Sequence, residues 1–312
     1  MKYAPLIDLL KRNNIRFLEN QSLHSLSNFE IGSSADIVIF PNDIDAFCEI
    51  LSYLYDKGIK FFIVGKGTNL VFPDFHYNGV ILCTSMLDKI KIDGDCLMAE
   101  CGASVTDCSI LAIKNSLSGM EFFCGIPGSI GGAVYMNASA FDGVTSGIII
   151  ESLAFDLNTR VKFKINLEEH KFNDKKSIFC ENKNLILLSS TFLLKKDFKE
   201  AIYLKALNFA LRRISSQPLG KGSAGSAFKR PKNSYASKLI DESGLKGFTV
   251  GGAQISKKHA GFIVNFNNAT ANDIKELIRI TKERVYKKFN VPLDEEIIFV
   301  DWGKYGILFK NY

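Results

Sequence analysis

The stretch Lys60-Phe61-Phe62-Ile63-Val64-Gly65-Lys66-Gly67-Thr68-Asn69-Leu70 decides the fold class. Its apolar part reads as a buried strand, and the glycine-rich part as the turn that ends it. Upstream, Ala35–Phe40 is another strand, stopped by Pro41-Asn42, and residues 43–57 place Phe47, Ile50, Leu51 and Leu54 at helical spacing before Gly58. A first helix covers about 5–15, with Leu6, Leu9 and Leu10 on one face. Strand, helix, strand and then a glycine-rich turn is the start of an α/β domain. The turn is not a dinucleotide fingerprint: G-x-G-x-x-G fails because Leu70 stands at the third glycine position and no βαβ unit follows. A tight structural turn accounts for it about as well as a ligand does. Chemically, it offers exposed backbone N–H groups beside Thr68 and Asn69, a cradle for a phosphate.

Downstream the elements shorten. Val80–Cys83, Ile90–Ile92 and Cys96–Cys101 are short strands, a helix covers about 104–117, and strands near 148–156, 160–165 and 185–194 close the first half. Within it, Gly125-Ile126-Pro127-Gly128-Ser129-Ile130-Gly131-Gly132-Ala133 puts four glycines within eight residues, ahead of a helix-compatible run, Ala133–Ala138. Residues this small let a flat or anionic group touch the backbone, and a helix N-terminus favours pyrophosphate. Close packing of two backbones is the other reading. Two such loops in one half suggest a long ligand with a central diphosphate. The second half holds helices near 199–214, 235–243 and 270–289 and strands at Gly261–Asn265 and Glu296–Val300. The expected division is therefore 1–198, with subdomains of about 1–78 and 79–198, followed by 199–312.

Charge changes sign near that boundary. Residues 1–194 carry 17 Lys/Arg against 22 Asp/Glu, or −5, whereas 195–312 carry 22 against 11, or +11. The basic half attracts an anionic partner or is simply a solvated basic face. At 46% hydrophobic and 23% charged residues, the composition is that of a globular protein rather than a disordered one. The longest apolar runs, such as Gly147-Ile148-Ile149-Ile150, stop far short of the ~18–20 residues that span a bilayer. Met1–Asn14 has charge on both sides of a short apolar stretch and no small-residue cleavage site, so it reads as no signal peptide. Seven cysteines with no CxxC pair fit a reduced, cytoplasmic protein. Four scattered histidines (24, 76, 170, 259) argue against zinc and against a Cys/His nucleophile.

In the basic half, Gly225-Ser226-Ala227-Phe228-Lys229-Arg230-Pro231 combines a hydroxyl with two cations. It contains neither a P-loop nor a G-x-S-x-G elbow, and no aromatic platform interleaves with its cations, so nucleic-acid binding fits poorly. Asp294-Glu295-Glu296 is an acidic cluster entering an apolar strand. Such a cluster is ordinarily a solvated edge, although a strand-end carboxylate can also face a site.

Taken together and in order, these segments resemble the bacterial UDP-N-acetylenolpyruvoylglucosamine reductases (UDP-N-acetylmuramate dehydrogenases). The resemblance runs from Asn28–Gly32 through Val64–Leu70, Gly119–Glu121, Gly125–Ala133, Asn137-Ala138, Gln217-Pro218, Ser223–Pro231, Lys238–Ile240, Gly244–Gly247, Gly251–Ala253 and Ser256–Asn265 to Leu293–Ile297. It implies an α+β protein: an FAD-binding domain of the vanillyl-alcohol-oxidase (PCMH) type built from two α/β subdomains, then a C-terminal α+β substrate-binding domain. The direct run from Ser256 through Asn265 into the last helix looks like the shorter type of the family, without an extra tyrosine-bearing loop.

The resemblance further implies non-covalent FAD held by Gly65, Lys66, Gly67, Thr68, Asn69 and Leu70, by Gly125, Ile126, Pro127, Gly128, Ser129, Gly131, Gly132 and Ala133, and by Asn137. NADPH would be the electron donor and an anionic UDP-sugar the substrate, with no nucleic acid or membrane as partner; the sequence sets no oligomeric state. Hydride would pass to the enolpyruvyl double bond and a proton to the neighbouring carbon. By motif, Ser226 matches the proton donor and Glu296 the carboxylate that helps polarise the intermediate. The family's arginine falls on Lys175, with Asp174 at its tyrosine; lysine keeps the charge but loses the planar fork. Lys229, Arg230, Arg213 and His259 are the further substrate-binding candidates, and Arg213 or Arg230 is a possible replacement for the missing arginine. Thr68, Ser139 and Phe141 are smaller departures. A paralogue that binds FAD or UDP-sugar without efficient turnover is the alternative.

Overall fold

Two sheets organise the first half of the chain, seen in a computed structural model that describes residues 2–300. The first has the strand order Arg16–Ser22, Ser34–Phe40, Tyr77–Cys83, Phe61–Val64, antiparallel for the first pair and parallel thereafter. The helix Ile44–Asp56 supplies one crossover; Asp43 caps it by accepting from the Ala46 N–H at 2.7 Å, and Phe47, Ile50, Leu51 and Leu54 are buried. The polar strand Arg16–Ser22 has no apolar run to announce it. Tyr77–Cys83 corrects the expected subdomain boundary at 78: Tyr77 is buried and pairs with Ala35, so the first sheet continues through Cys83.

The second sheet, ordered Lys162–Asn166, Ile149–Asp156, Leu185–Leu193, Cys96–Glu100, Ile90–Asp93, is antiparallel throughout. The helix Val105–Lys114 packs against its edge region, capped by Ser104. In the C-terminal unit, Thr249–Val250, Ala253–Ile255 and Ile263–Asn265 form a small sheet beside the helices Ala236–Glu242 and Ala271–Phe289. The α+β architecture is the expected one. Among the described residues, no helix is long and apolar enough to cross a membrane.

The units interlock. The helix Lys199–Ser216 begins where the second domain was expected to begin, yet its Phe209 is buried among Leu97, Phe123 and Phe192 of the second subdomain. Phe29, Ile31 and Val71 enter the C-terminal core, while Val300 is buried with Leu23, Val38 and Ile81 of the first subdomain. Asp74 accepts from the N–H groups of Ala271 and Asn272, adding a second cap to a helix already closed by the Thr270/Asp273 capping box. The strand expected at Glu296–Val300 contracts to Ile298–Phe299, paired in parallel with Leu70–Val71.

At the N-terminus, Asp36 binds the first helix to this sheet. Its carboxylate accepts from Tyr3 Oη at 2.6 Å and Lys2 Nζ at 3.3 Å, and lies 2.7 Å from His76 Nε2. Burial pushes this carboxyl up, but hydrogen bonds from Tyr3, His76 and Lys2 outweigh it and hold it below the usual carboxylate range. A depressed native pKa stabilises the fold above the unfolded value of about 3.9 and ceases to do so as pH falls through the native value. Asp36→Asn is expected to cost about 1–2 kcal/mol at neutral pH. Urea denaturation should show that difference persisting down to about pH 4 and vanishing below it.

Candidate active site

A cleft of about 940 Å³ is lined by both subdomains and by the C-terminal unit. Gly65–Leu70 forms one wall, Gly125–Ser129 with Gly131–Ala133 a second, and Gly222–Ser226 a third. Lys175, Arg213 and Glu296 also reach it, as do Lys183 and Lys221, two cations that no motif singled out for the site. The volume is that of a site for a nucleotide-sized ligand.

The first loop is built to present its backbone. Gly67 has φ +61°, and a Cβ there would stand 1.8 Å from the Leu26 carbonyl oxygen, so only glycine fits. The N–H groups of Lys66, Gly67, Thr68 and Asn69 donate to no protein acceptor among the described residues. Four consecutive unspent donors facing a cleft form an anion-binding nest. The second loop is different. Ile130 N–H donates to Ala103 O at 2.8 Å, Gly131 N–H to Cys101 O at 2.7 Å, and Gly132 N–H to Ser129 Oγ at 3.3 Å. A Cβ on Gly131 would lie 2.8 Å from that same Cys101 oxygen. The helix starts at Ile130 rather than Ala133 and is six residues long, so its opening turn is occupied by packing rather than aimed at an anion. Cys101, beneath it, is buried, which pushes its thiol up to about 12 and leaves it unreactive.

Facing these loops, three candidates from distant parts of the chain converge. Lys175 Nζ lies 2.9 Å from Glu296 Oε1 and donates to Ser139 Oγ at 3.3 Å. Lys175 occupies a tight turn closed by reciprocal Asn173/Lys176 backbone hydrogen bonds, with a left-handed φ of +55° that is uncommon outside glycine. Glu296 is held by its own backbone: its N–H donates to Ala227 O at 2.9 Å, and its carbonyl accepts from Asn69 Nδ2 at 3.1 Å. Ser226 sits on the neighbouring extended segment, bridged to Phe262, with Phe228 bridged to Glu295. Its side chain is exposed to the cleft. The site therefore offers a hydroxyl, an ammonium and a carboxylate along one wall.

Other candidates lie elsewhere. Asn137 does not line the cleft; its amide donates to Asn173 O and accepts from Ser146 N–H, bracing the Lys175 turn. Arg213 reaches the cleft wall, but its guanidinium donates to Cys124 O at 3.1 Å and Phe122 O at 2.8 Å. Burial pushes its pKa down, and the site it fills is the turn before the second glycine loop. Lys229 lies three residues beyond Ser226 on an extended segment, and hence on the opposite face. Arg230 stacks on Tyr235, 4.1 Å from its centroid, and His259 lines a smaller basin with Tyr235, Lys238, Lys246 and Lys258. Burial keeps His259 below the usual imidazole range, and its Nδ1 accepts from the Gly261 N–H at 3.1 Å. Through the Gly261 carbonyl, which takes the Ala227 N–H, His259 shapes the segment carrying Ser226. Neither arginine is therefore at the Lys175 position.

Removing Arg213 tests its assignment. Arg213→Met strands the buried Phe122 carbonyl and the half-buried Cys124 carbonyl and is expected to cost about 2–4 kcal/mol in urea denaturation. A substrate KM unchanged in the folded variant is the expected companion result.

Similarity to known proteins agrees with this geometry. Residues 35–154 match the FAD binding domain, and residues 217–300 match the UDP-N-acetylenolpyruvoylglucosamine reductase C-terminal domain. The UDP-N-acetylenolpyruvoylglucosamine reductase of Caldicellulosiruptor bescii is 41% identical over 293 residues, covering 93% of each chain. That of Fervidobacterium nodosum is 41% identical over 279 residues, covering 89% of this chain and 90% of its own. The crystal structure of the Thermus caldophilus UDP-N-acetylenolpyruvylglucosamine reductase superposes with a TM-score of 0.77 at 27% identity, covering 92% of this chain and 99% of that one. With a flavin-type N-terminal domain, a matching C-terminal domain and relatives this similar along nearly its whole length, the chain belongs to the UDP-N-acetylenolpyruvoylglucosamine reductase family.

Proposed function

We propose that this protein reduces the enolpyruvyl group of UDP-N-acetylglucosamine enolpyruvate to give UDP-N-acetylmuramate, a peptidoglycan precursor, using NADPH and non-covalent FAD. The observation that carries this reading is the Lys175–Glu296 pair at 2.9 Å on the cleft wall beside Ser226. The residues present fit the flavin cofactor: the Lys66–Asn69 N–H groups have the donor chemistry a diphosphate needs, and both glycine loops line a cleft large enough for a nucleotide-sized group. FAD, when bound, supplies hydride transfer from NADPH to the enolpyruvyl double bond. The flavin falls to the 1–198 side of the cleft and the substrate to the 199–312 side.

The protein's own groups handle charge and proton. Hydride addition to the carbon remote from the carboxylate leaves negative charge delocalised into that carboxylate. A lysine ammonium has three N–H donors; Glu296 and Ser139 engage two, and the third is available to a substrate oxygen. Lys175 thus stabilises the developing charge, while Glu296 fixes where the ammonium points. The Ser226 Oγ–H then protonates the adjacent carbon, completing addition of one hydride and one proton across the double bond. Lys238, Lys246, Lys258 and His259 line the second basin, where Asp241 pairs with Lys246 at 2.6 Å and leaves a net positive charge that suits the UDP diphosphate, and Arg230 lies over the Tyr235 ring at its edge. Seven free cysteines suit a reducing cytoplasm.

Purified protein should be yellow with flavin that is released on denaturation, and should oxidise NADPH when given the enolpyruvyl substrate. Flavin without substrate-dependent turnover would favour the impaired paralogue, and absence of flavin would sink both readings. Ser226→Ala should spare flavin reduction by NADPH and slow reoxidation by substrate ~10²-fold or more; equal effects on the two half-reactions would remove Ser226 from the role. Lys175→Met should slow the same second step ~10²-fold, whereas a silent Lys175→Met would assign the carboxylate to another cation.

A further inference from the structure

Between Ile165 and Ser177 the chain runs along the surface, and His170, at 0% exposure, is the only buried residue on the way. Residues 166–169 are exposed, as are Lys171, Asn173, Asp174 and Lys176. The run ends in the Asn173–Lys176 turn that carries Lys175 to the cleft. An imidazole without exposed surface is costly to bury unless both nitrogens are hydrogen-bonded. Here both are: Nδ1 lies 2.6 Å from the Asn166 carbonyl oxygen and Nε2 lies 2.8 Å from Ser152 Oγ. The carbonyl only accepts, so Nδ1 carries the proton, and Nε2 of the neutral ring accepts from Ser152. Burial pushes His170 below the usual imidazole range, which keeps it neutral.

The network continues into the sheet. Having given its hydrogen to His170, Ser152 Oγ accepts from Ser190 Oγ, 2.8 Å away and directly opposite on the neighbouring strand. Both serines are buried near the middle of the second sheet. The face of the imidazole is engaged as well: Phe172 stacks on it with centroids 4.9 Å apart and planes 8° apart, and Phe179 meets it edge-on at 6.1 Å. A leucine would fill the same space, but it would not fix the plane on which Phe172 lies. Phe172 leads directly into Asn173, the first residue of the turn. Lys175 holds a left-handed φ of +55° there, a conformation that persists in a non-glycine residue only when its surroundings enforce it.

We propose that His170 is a positioning residue for Lys175, tying the surface run to the Ser152–Ser190 pair of the sheet and, through the Phe172 stack, fixing the turn that presents the ammonium to the cleft. Asn137 secures the same turn from its other side, donating to the Asn173 carbonyl at 3.1 Å, and Ser177 Oγ donates to the Tyr135 carbonyl at 2.9 Å just beyond it. Lys175 Nζ is thereby kept within 2.9 Å of Glu296 Oε1. The kinetic consequence rests on the function proposed above; the placement of Lys175 does not.

Brief acetic anhydride labelling of the purified full chain, followed by peptide mass mapping, reads how firmly Lys175 is held, with Lys183 and Lys221 of the same cleft as references. His170→Leu keeps the core filled and removes both hydrogen bonds; Phe172→Ala keeps the hydrogen bonds and removes the stack. Each should raise Lys175 labelling ~10-fold over wild type by local opening of the turn, with Lys183 and Lys221 unchanged. Each should also slow flavin reoxidation by substrate ~10-fold and spare flavin reduction by NADPH. In a Lys175→Met background neither should slow reoxidation further, as expected of groups that act through Lys175. Wild-type labelling of Lys175 in either folded variant overturns the proposal, and Phe172→Ala decides it if His170→Leu does not fold. Slowing that persists in Lys175→Met overturns it too. Faster Lys175 labelling in a protein whose wild type is not reoxidised by substrate would instead overturn the proposed function and leave the placement standing.

Discussion

The parallel pairing of Ile298–Phe299 with Leu70–Val71 is the contact on which the site depends. It joins the last described strand to the end of the first glycine loop, more than two hundred residues earlier. Ile298 N–H donates to Asn69 O, Asn69 Nδ2 donates to the Glu296 carbonyl, and Val300 is buried in the first subdomain. One short ladder therefore sets both the shape of the loop that offers its N–H groups and the height at which the Glu296 carboxylate enters the cleft. Because the two are bonded to each other, their separation is defined by backbone geometry rather than by flexible side chains.

The same arrangement gives the charge asymmetry of the chain a physical meaning. The first half carries −5 yet is suited to a dianionic diphosphate, since backbone N–H groups attract an anion without contributing net charge. The second half, at +11, faces the cleft and the smaller basin with side-chain cations, whose field attracts anions at longer range. Lys175 is the exception, a cation contributed by the acidic half to the wall it shares with Glu296.

The surroundings of Lys175 supply the direction that an arginine's planar fork would carry by itself. Guanidinium fixes direction by its planar geometry, whereas an ammonium must be directed from outside. Here Glu296 and Ser139 hold Nζ, the left-handed turn at Lys175 aims the side chain, and Asn137 braces that turn from the opposite segment. Ser139, visible in the sequence only as a small departure, thereby acquires a role.

How much of this was legible in the sequence follows the range of the forces involved. Helices and glycine loops depend on local spacing, and the sequence by itself determined them; Ser226, Glu296 and Lys175 were legible as candidates through motif resemblance. Tertiary structure decided the remainder. It spent the Ile130, Gly131 and Gly132 N–H groups on packing, turned Arg213 onto two carbonyls, engaged the Asn137 amide in bracing a turn, stacked Arg230 on Tyr235 and placed His259 in another basin. It also brought Lys175 within 2.9 Å of Glu296 across 121 positions of sequence. A hydrogen-bonding group can serve a ligand or the fold with the same chemistry, and which it does is set by the acceptor that folding places within reach.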